Sequence, residues 1–128
     1  MMEKEVLPSA MALAYLGDAV HSLYVRERLV RLGISKSGAL NERALAYVTA
    51  ERQAEVARAL LPLLTEEEED VFRRAGNHRL NRPRHSSGAD YRYATGLEAV
   101  FGMLHYLGRN ERLSQLLSQA FDAVSCEK

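Results

Sequence analysis

Two carboxylates stand where a helix has little use for one. Asp18 lies in ALAYLGDAVHSLYV, a run whose apolar residues fall at helical spacing. Aspartate is a weak helix former in an interior, and here it is flanked by Gly17 and Ala19. Glu98 lies in YRYATGLEAVFGMLHYL, with Ala94, Thr95, Phe101 and Gly102 three and four residues away. That face is small or apolar, so another helix can come close. A carboxylate on such a face is unfavourable unless it is paired or binds a cation. Two of them, from different helices, could hold Mg2+, a hard ion that takes one or two carboxylates, waters and phosphate oxygens. The plainer alternative is that each is half exposed or pairs with an arginine such as Arg26 or Arg92. The histidines add nothing to a metal site, because no two have ligand spacing. His21 and His105 are expected as partly buried helix residues, and His78 and His85 as loop residues.

The second feature is a separation of charge. Residues Glu66 to Asp70 read EEEED, a local −5. The stretch from Arg73 to Tyr93 holds Arg73, Arg74, Arg79, Arg82, Arg84 and Arg92 against one acid, Asp90, a local +5, with His78 and His85 in addition. The acidic block reads as a helix start, with Thr65 as N-cap and Glu68 three residues on, as in a capping box. The basic stretch also carries Gly76, Asn77, Asn81, Pro83, Ser86, Ser87 and Gly88, so it is expected as a polar loop. Arginine forks onto phosphate oxygens, and such a loop would bend around a phosphate backbone.

The elements that must position these groups are all helices. Period-2 alternation is absent. The spacing predicts a first helix from near Ser9 to Leu32, stopped by Gly33, with Leu13, Leu16, Val20 and Leu23 inward. A second is expected from Ser37 or Leu40 to Leu61, ahead of Pro62, and a short third from Glu66 to Ala75. A fourth is expected from about Tyr91 to Leu107 and a fifth from about Glu111 to Val124, parted by Gly108. The fold class is therefore all-α, one domain over residues 1–128, with about five main helices.

Composition narrows the class without deciding it. The chain has 128 residues, 47% hydrophobic and 27% charged, which fits one globular domain and excludes whole-chain disorder. No apolar run approaches the ~20 residues of a membrane span, and acids precede any apolar run at the N-terminus, unlike a signal peptide. The single cysteine, Cys126, can form neither an intrachain disulfide nor a metal cluster, so a cytoplasmic protein is expected. The 17 basic and 17 acidic residues cancel, which excludes a uniformly basic nucleic-acid binder but not one with its charges segregated.

The segment Ala12 to Val20, ALAYLGDAV, resembles the signature helix of the ribonuclease III family, whose Leu-Gly-Asp-Ala core supplies a catalytic aspartate. The segment Thr95 to Gly102, TGLEAVFG, resembles that family's second signature, which supplies a metal-binding glutamate. Order and separation also agree. With TAERQAEV (Thr49 to Val56) and TEEEEDVFRRAGN (Thr65 to Asn77), the resemblance covers nearly the whole chain. It is nearest to the Mini-III branch, a nuclease domain without a double-stranded-RNA-binding domain, for which 128 residues leave no room. The further acids of full-length relatives fall at Met11, Ala14 and Thr95, so Asp18 and Glu98 alone carry over.

The resemblance implies a ribonuclease III-type endonuclease domain, dependent on Mg2+ with Mn2+ as a substitute, that hydrolyses phosphodiester bonds in double-stranded RNA. It implies Asp18 and Glu98 as both catalytic and metal-binding residues, with products bearing 5′-phosphate and 3′-hydroxyl ends. It implies a homodimer with the signature helix in the contact, and a precursor of large-subunit (23S) ribosomal RNA as substrate. Assistance by a ribosomal protein is compatible with it. The competing readings are an inactive RNA-binding or ribosome-assembly module of the same fold, and a helical interaction protein unconnected with RNA. RNA contacts are expected from Arg73, Arg74, His78, Arg79, Arg82, Arg84, His85, Tyr91 and Arg92. A-form RNA is read by shape, 2′-hydroxyls and phosphates, so these need not read bases. Replacing Arg79, Arg82 and Arg84 by alanine is expected to weaken duplex-RNA binding and flatten its salt dependence; an unchanged salt slope contradicts the clamp.

Overall fold

The computed structural model describes residues 6–77 and 88–125. Among them are six helices and no strand: α1 Ala10–Arg31, α2 Ser37–Val48, α3 Ala50–Leu60, α4 Glu66–Gly76, α5 Gly88–Tyr106 and α6 Asn110–Ser125, with a single 3-10 turn at Leu61–Leu63. Ser9 caps α1 by accepting from the Ala12 amide at 3.1 Å. Gly33 (φ 94°) and Gly108 (φ 73°) end α1 and α5 in the left-handed region, which glycine enters without steric cost.

The stretch expected as one helix from Ser37 to Leu61 is two. Thr49 adopts an extended conformation (ψ 155°), and its hydroxyl accepts from the Arg52 amide at 3.3 Å, so it ends α2 and caps α3. A threonine oxygen competes for backbone donors and is worth more at a cap than in an interior. The inward face of α1 also differs from the expected stripe. Leu13, Ala14, Gly17, His21, Val25 and Leu29 are buried, whereas Leu23 is 60% exposed. α5 begins at Gly88, three residues earlier than its apolar pattern suggests.

α5 is the axis of the molecule and packs against α1, α3 and α4. Leu97, Ala99, Val100, Phe101, Met103 and Leu104 have no exposed surface at all. A helix apolar all round must be surrounded, and α5 is. Small residues make this enclosure tight. A β-carbon on Gly17 would fall on the Glu98 carbonyl oxygen and lie 2.8 Å from the Gly102 amide nitrogen, and one on Gly102 would meet the Leu13 carbonyl. α1 and α5 therefore touch backbone to backbone where Gly17 faces Gly102. On the far side of α5, Gly96 makes room for Phe72 of α4.

The acidic block is structural, as its capping-box pattern suggested. Thr65 and Glu68 cap each other, at 3.1 Å from the Glu68 amide to the Thr65 hydroxyl and 2.9 Å from the Thr65 amide to Glu68 Oε1. Glu68 is also buried, and its carboxylate accepts both Arg112 Nε and Arg112 Nη2 at 2.8 Å, tying α4 to α6. Burial alone would raise the Glu68 carboxyl. The hydrogen bonds from Arg112 and Thr65 outweigh it and hold the group below its ordinary value.

The glycine contact sets a clear expectation. Gly17→Ala improves helix propensity by about 1 kcal/mol but places a methyl on unyielding backbone, so it should destabilise by roughly 4 kcal/mol or more. Gly38→Ala, in α2 with nothing within 4 Å of its added carbon, should leave stability unchanged or raise it. Thermal melts of the two variants check this, and a stable Gly17→Ala protein contradicts the contact.

Candidate metal and nucleic-acid site

Each of the ten other residues from Ala94 to Leu104 is buried, so Glu98 is the one carboxylate in the enclosed part of α5. It is half-buried at the α1 side, where the Gly17 contact brings the next residue, Asp18, opposite it. Asp18 is exposed, and the two carboxyl groups share a hydrogen bond. Burial, then the charge of Asp18 and that shared hydrogen bond, push the Glu98 carboxyl up to about 8. A hydrogen bond with the Gln53 side chain acts in the opposite direction. The pair is thus held at close quarters with a proton where two anions would repel.

Two further side chains complete the surroundings, and neither stood out from the sequence as a site residue. Gln53 of α3 is 3% exposed. Its Nε2 donates to the Val48 carbonyl at 2.9 Å, at the end of α2, and the same side chain bonds Glu98. Its Oε1 is buried with no partner, a state that typically costs about 1–3 kcal/mol. The signal in the sequence was positional, since Gln53 shares its helical face with Val56, Ala57 and Leu60, all buried. His21, one turn beyond Asp18, is fully rather than partly buried, and its ring lies 5.3 Å from that of Phe101. Burial pushes its imidazole down to about 4 against an opposing pull from Asp18, so it is neutral at pH 7, with Nδ1 unpartnered.

The donor set suits a hard divalent ion. It consists of carboxylate oxygens from two helices, open to solvent on the Asp18 side. Among the described residues, no three His, Cys, Asp or Glu side chains come together as a metal cluster. This matches Met11, Ala14 and Thr95, which offer no carboxylate. Water and substrate would supply the remaining ligands of an ion held by Asp18 and Glu98.

The cationic residues divide. Arg73 and Arg74 are exposed on the last turn of α4, and both pair with Asp70, at 2.9 and 3.0 Å. Exposed pairs of this kind are weak and exchange readily for phosphate. Arg92 is exposed and Tyr91 half-buried on the first turns of α5. Arg73, Asn77 and Arg92 edge a cavity of about 230 Å3 between α4 and α5, with Phe72 and Tyr93 among its lining. The outer side of Tyr93 carries Arg58, whose guanidinium lies 4.6 Å from the ring and pairs with Asp90 at 3.3 Å. His78, Arg79, Arg82, Arg84 and His85 lie outside the described residues. No helix among the described residues is long and apolar enough to cross a membrane.

Comparison with known proteins bears on what this arrangement does. Residues 11–109 match the ribonuclease III domain model. A Mini-ribonuclease 3 from Symbiobacterium thermophilum is 43% identical over 115 residues, covering 89% of this chain and 88% of its own. One from Synechococcus is 45% identical over 116 residues, covering 91% and 81%. The crystal structure of a Fusobacterium nucleatum protein superposes with a TM-score of 0.82 at 29% identity, covering 90% of this chain and 93% of that one.

The geometry predicts an observable titration. Glu98 in metal-free protein should titrate near pH 8 in carbon-13 NMR, and Asp18→Asn should lower that midpoint by removing the facing charge. A raised folded-state value means the proton favours folding. Stability of the metal-free protein is therefore full below the ordinary value of 4.5 and declines as pH rises through about 8. A Glu98 midpoint near 4.5 would contradict the pairing.

Proposed function

The chain belongs to the ribonuclease III family, in its Mini-III branch, and on that premise we propose that it is a divalent-metal-dependent endoribonuclease acting on double-stranded RNA. The observation that carries the metal dependence is the meeting of Asp18 and Glu98, from two helices whose backbones touch. Asp18 and Glu98 would hold Mg2+, or Mn2+ in its place. When bound, the ion lowers the pKa of a coordinated water and stabilises charge on the scissile phosphate. Hydrolysis adds water across the bond from phosphorus to the 3′ oxygen, leaving a 5′-phosphate and a 3′-hydroxyl.

The residues of the chain contribute position and charge. Asp18, on the exposed side, faces the substrate, while Glu98 is fixed from behind by α5 and by Gln53. His21, neutral and buried, brings no positive charge to compete with the ion. Arg73, Arg74, Arg92 and Tyr91 would contact the RNA backbone beside the cavity between α4 and α5, and His78, Arg79, Arg82, Arg84 and His85 would extend that contact.

A homodimer belongs to the same reading. Tyr15, Leu23 and Val30 lie along the outer side of α1, 85%, 60% and 58% exposed. With Ala12 and Ala19 they form a stripe at helical spacing that runs past Asp18. An apolar stripe of this length is unfavourable in water and fits a self-complementary two-fold contact. Two copies joined along α1 would present two carboxylate pairs to one duplex, one for each strand. The cellular substrate that suits this chain is a stem in a 23S ribosomal RNA precursor, and the compartment is the cytoplasm.

The test is cleavage of long double-stranded RNA by wild type and by Asp18→Asn, with Mg2+ and with chelator. Wild type with Mg2+ should cut, and either the substitution or the chelator should reduce the rate at least about 100-fold, the lower end of what one positioned catalytic group typically contributes. Cleavage that survives either one defeats the mechanism. Duplex binding without cleavage by wild type would favour an inactive binding module.

A further inference from the structure

We propose that Arg58 contacts the RNA backbone, carrying the cationic patch at the start of α5 across Tyr93 onto α3 and toward the carboxylate pair. This inference rests on the nuclease reading above and adds a residue from outside the basic stretch of the sequence. Asp90 is the one acid among the six arginines between Arg73 and Tyr93. It stands in the first turn of α5, where a negative charge complements the helix dipole. The same charge would repel a polyanion. The fold answers it with a cation from a different helix. Arg58, in the last turn of α3, donates from Nη2 to Asp90 Oδ1 at 3.3 Å, across 32 residues of sequence. Its guanidinium lies 4.6 Å from the centre of the Tyr93 ring.

The placement links the two halves of the proposed site. Tyr93 and the exposed Arg73 and Arg92 edge the cavity between α4 and α5, and Arg58 covers the outer side of the same ring. Asp90, Ala94 and Glu98 follow one another at four-residue spacing, so they share one side of α5. The rise from Asp90 to Glu98 is about 12 Å. A strand held by Arg73 and Arg92 and running to Asp18 and Glu98 therefore passes Arg58. The pair with Asp90 is able to yield to phosphate. The Arg58 side chain is 48% exposed, and exposed ion pairs contribute little to stability. The bond to Asp90, at 3.3 Å, is longer than the roughly 2.7–2.9 Å of a strong charge-assisted one. A phosphate offers two oxygens to the guanidinium fork, and the Tyr93 ring steadies that group without using any of its N–H donors.

The experiment measures binding of a defined RNA duplex in chelator, over a range of salt concentrations, by wild type, Arg58→Gln, Asp90→Asn and Arg109→Gln. Arg58→Gln keeps the stem beside Tyr93 and removes only the charge. Arg109 is the control, an exposed arginine paired with Glu67 at 2.7 Å beyond the far end of α5. We expect Arg58→Gln to weaken binding several-fold at low salt and to reduce the slope of log affinity against log salt by about 0.7–0.9, the loss of one phosphate contact. In cleavage with Mg2+ its KM for RNA should rise while kcat at saturating RNA is retained. Asp90→Asn releases Arg58 to the RNA and should bind at least as tightly as wild type, and Arg109→Gln should match wild type in slope. A pair that serves only the fold gives another pattern, in which Arg58→Gln and Asp90→Asn lower the melting temperature alike and neither alters the slope. That pattern, or a slope in Arg58→Gln no different from that in Arg109→Gln, overturns the proposal. Failure of wild type itself to bind duplex RNA would instead remove the nuclease reading, and this assignment with it.

Discussion

The backbone contact between α1 and α5 is the constraint on which the rest of this molecule depends. Two glycines, Gly17 and Gly102, remove the side chains that would hold the helices apart, and the space of one β-carbon at Gly17 is filled by the carbonyl of Glu98. The consequences are geometric. Asp18 follows Gly17, so a contact set by packing also sets the distance between two carboxylates. The chain cannot loosen that contact without exposing the wholly buried face of α5, where Leu97, Val100, Phe101 and Leu104 lie. The energy of the core is thus used to hold two like charges together, which electrostatics alone would oppose. The raised Glu98 carboxyl, which holds its proton toward pH 8, relieves the opposition.

Charge elsewhere is arranged so that it does not interfere with this pair. Three of the acids from Glu66 to Asp70 are engaged in the fold itself. Glu68 caps α4 and receives Arg112, Glu67 receives Arg109 at 2.7 Å, and Asp70 receives Arg73 and Arg74. The pairs of Glu67 and Asp70, three in all, are exposed and weak, whereas the Glu68 pair is buried and couples α4 to α6. The basic residues at the end of α4 and the start of α5 sit on a different face of α5 from Glu98, since Gly96, on the α4 side, meets Phe72 while Glu98 meets α1 and α3. A neutral chain therefore carries these exposed arginines and its carboxylate pair on different faces of one helix.

Much of this was legible from residue types and spacing. The all-α class, the start of α1 near Ser9, the Thr65 cap, the glycine stops at Gly33 and Gly108, and the oddity of carboxylates at Asp18 and Glu98 could all be read in the chain. They are local signals or rest on two short motifs whose order is informative. What was not legible depends on tertiary packing. Thr49 looks like a helix residue until its hydroxyl is seen to cap α3. Leu23 fits an inward stripe by spacing alone, but the face of α1 that turns inward is chosen by the glycine contact, which leaves Leu23 outside with Tyr15 and Val30. Gln53 gave a weak signal, a polar residue on an apolar helix face, and its meaning came only from its neighbours Val48 and Glu98. Arg73, Arg74 and Arg92 lie on helix ends, where the expected bounds of those helices had placed them.

The central claim is that Asp18 and Glu98 together hold the ion on which RNA hydrolysis depends. The most direct measurement is anomalous diffraction from crystals of the wild-type protein grown with Mn2+, paired with the Asp18→Asn, Glu98→Gln double variant grown in the same way. The account predicts one strong peak per chain, ligated by an oxygen of Asp18 and an oxygen of Glu98, and its loss from the double variant. A peak bound elsewhere on the chain, or one that persists in the double variant, would contradict it.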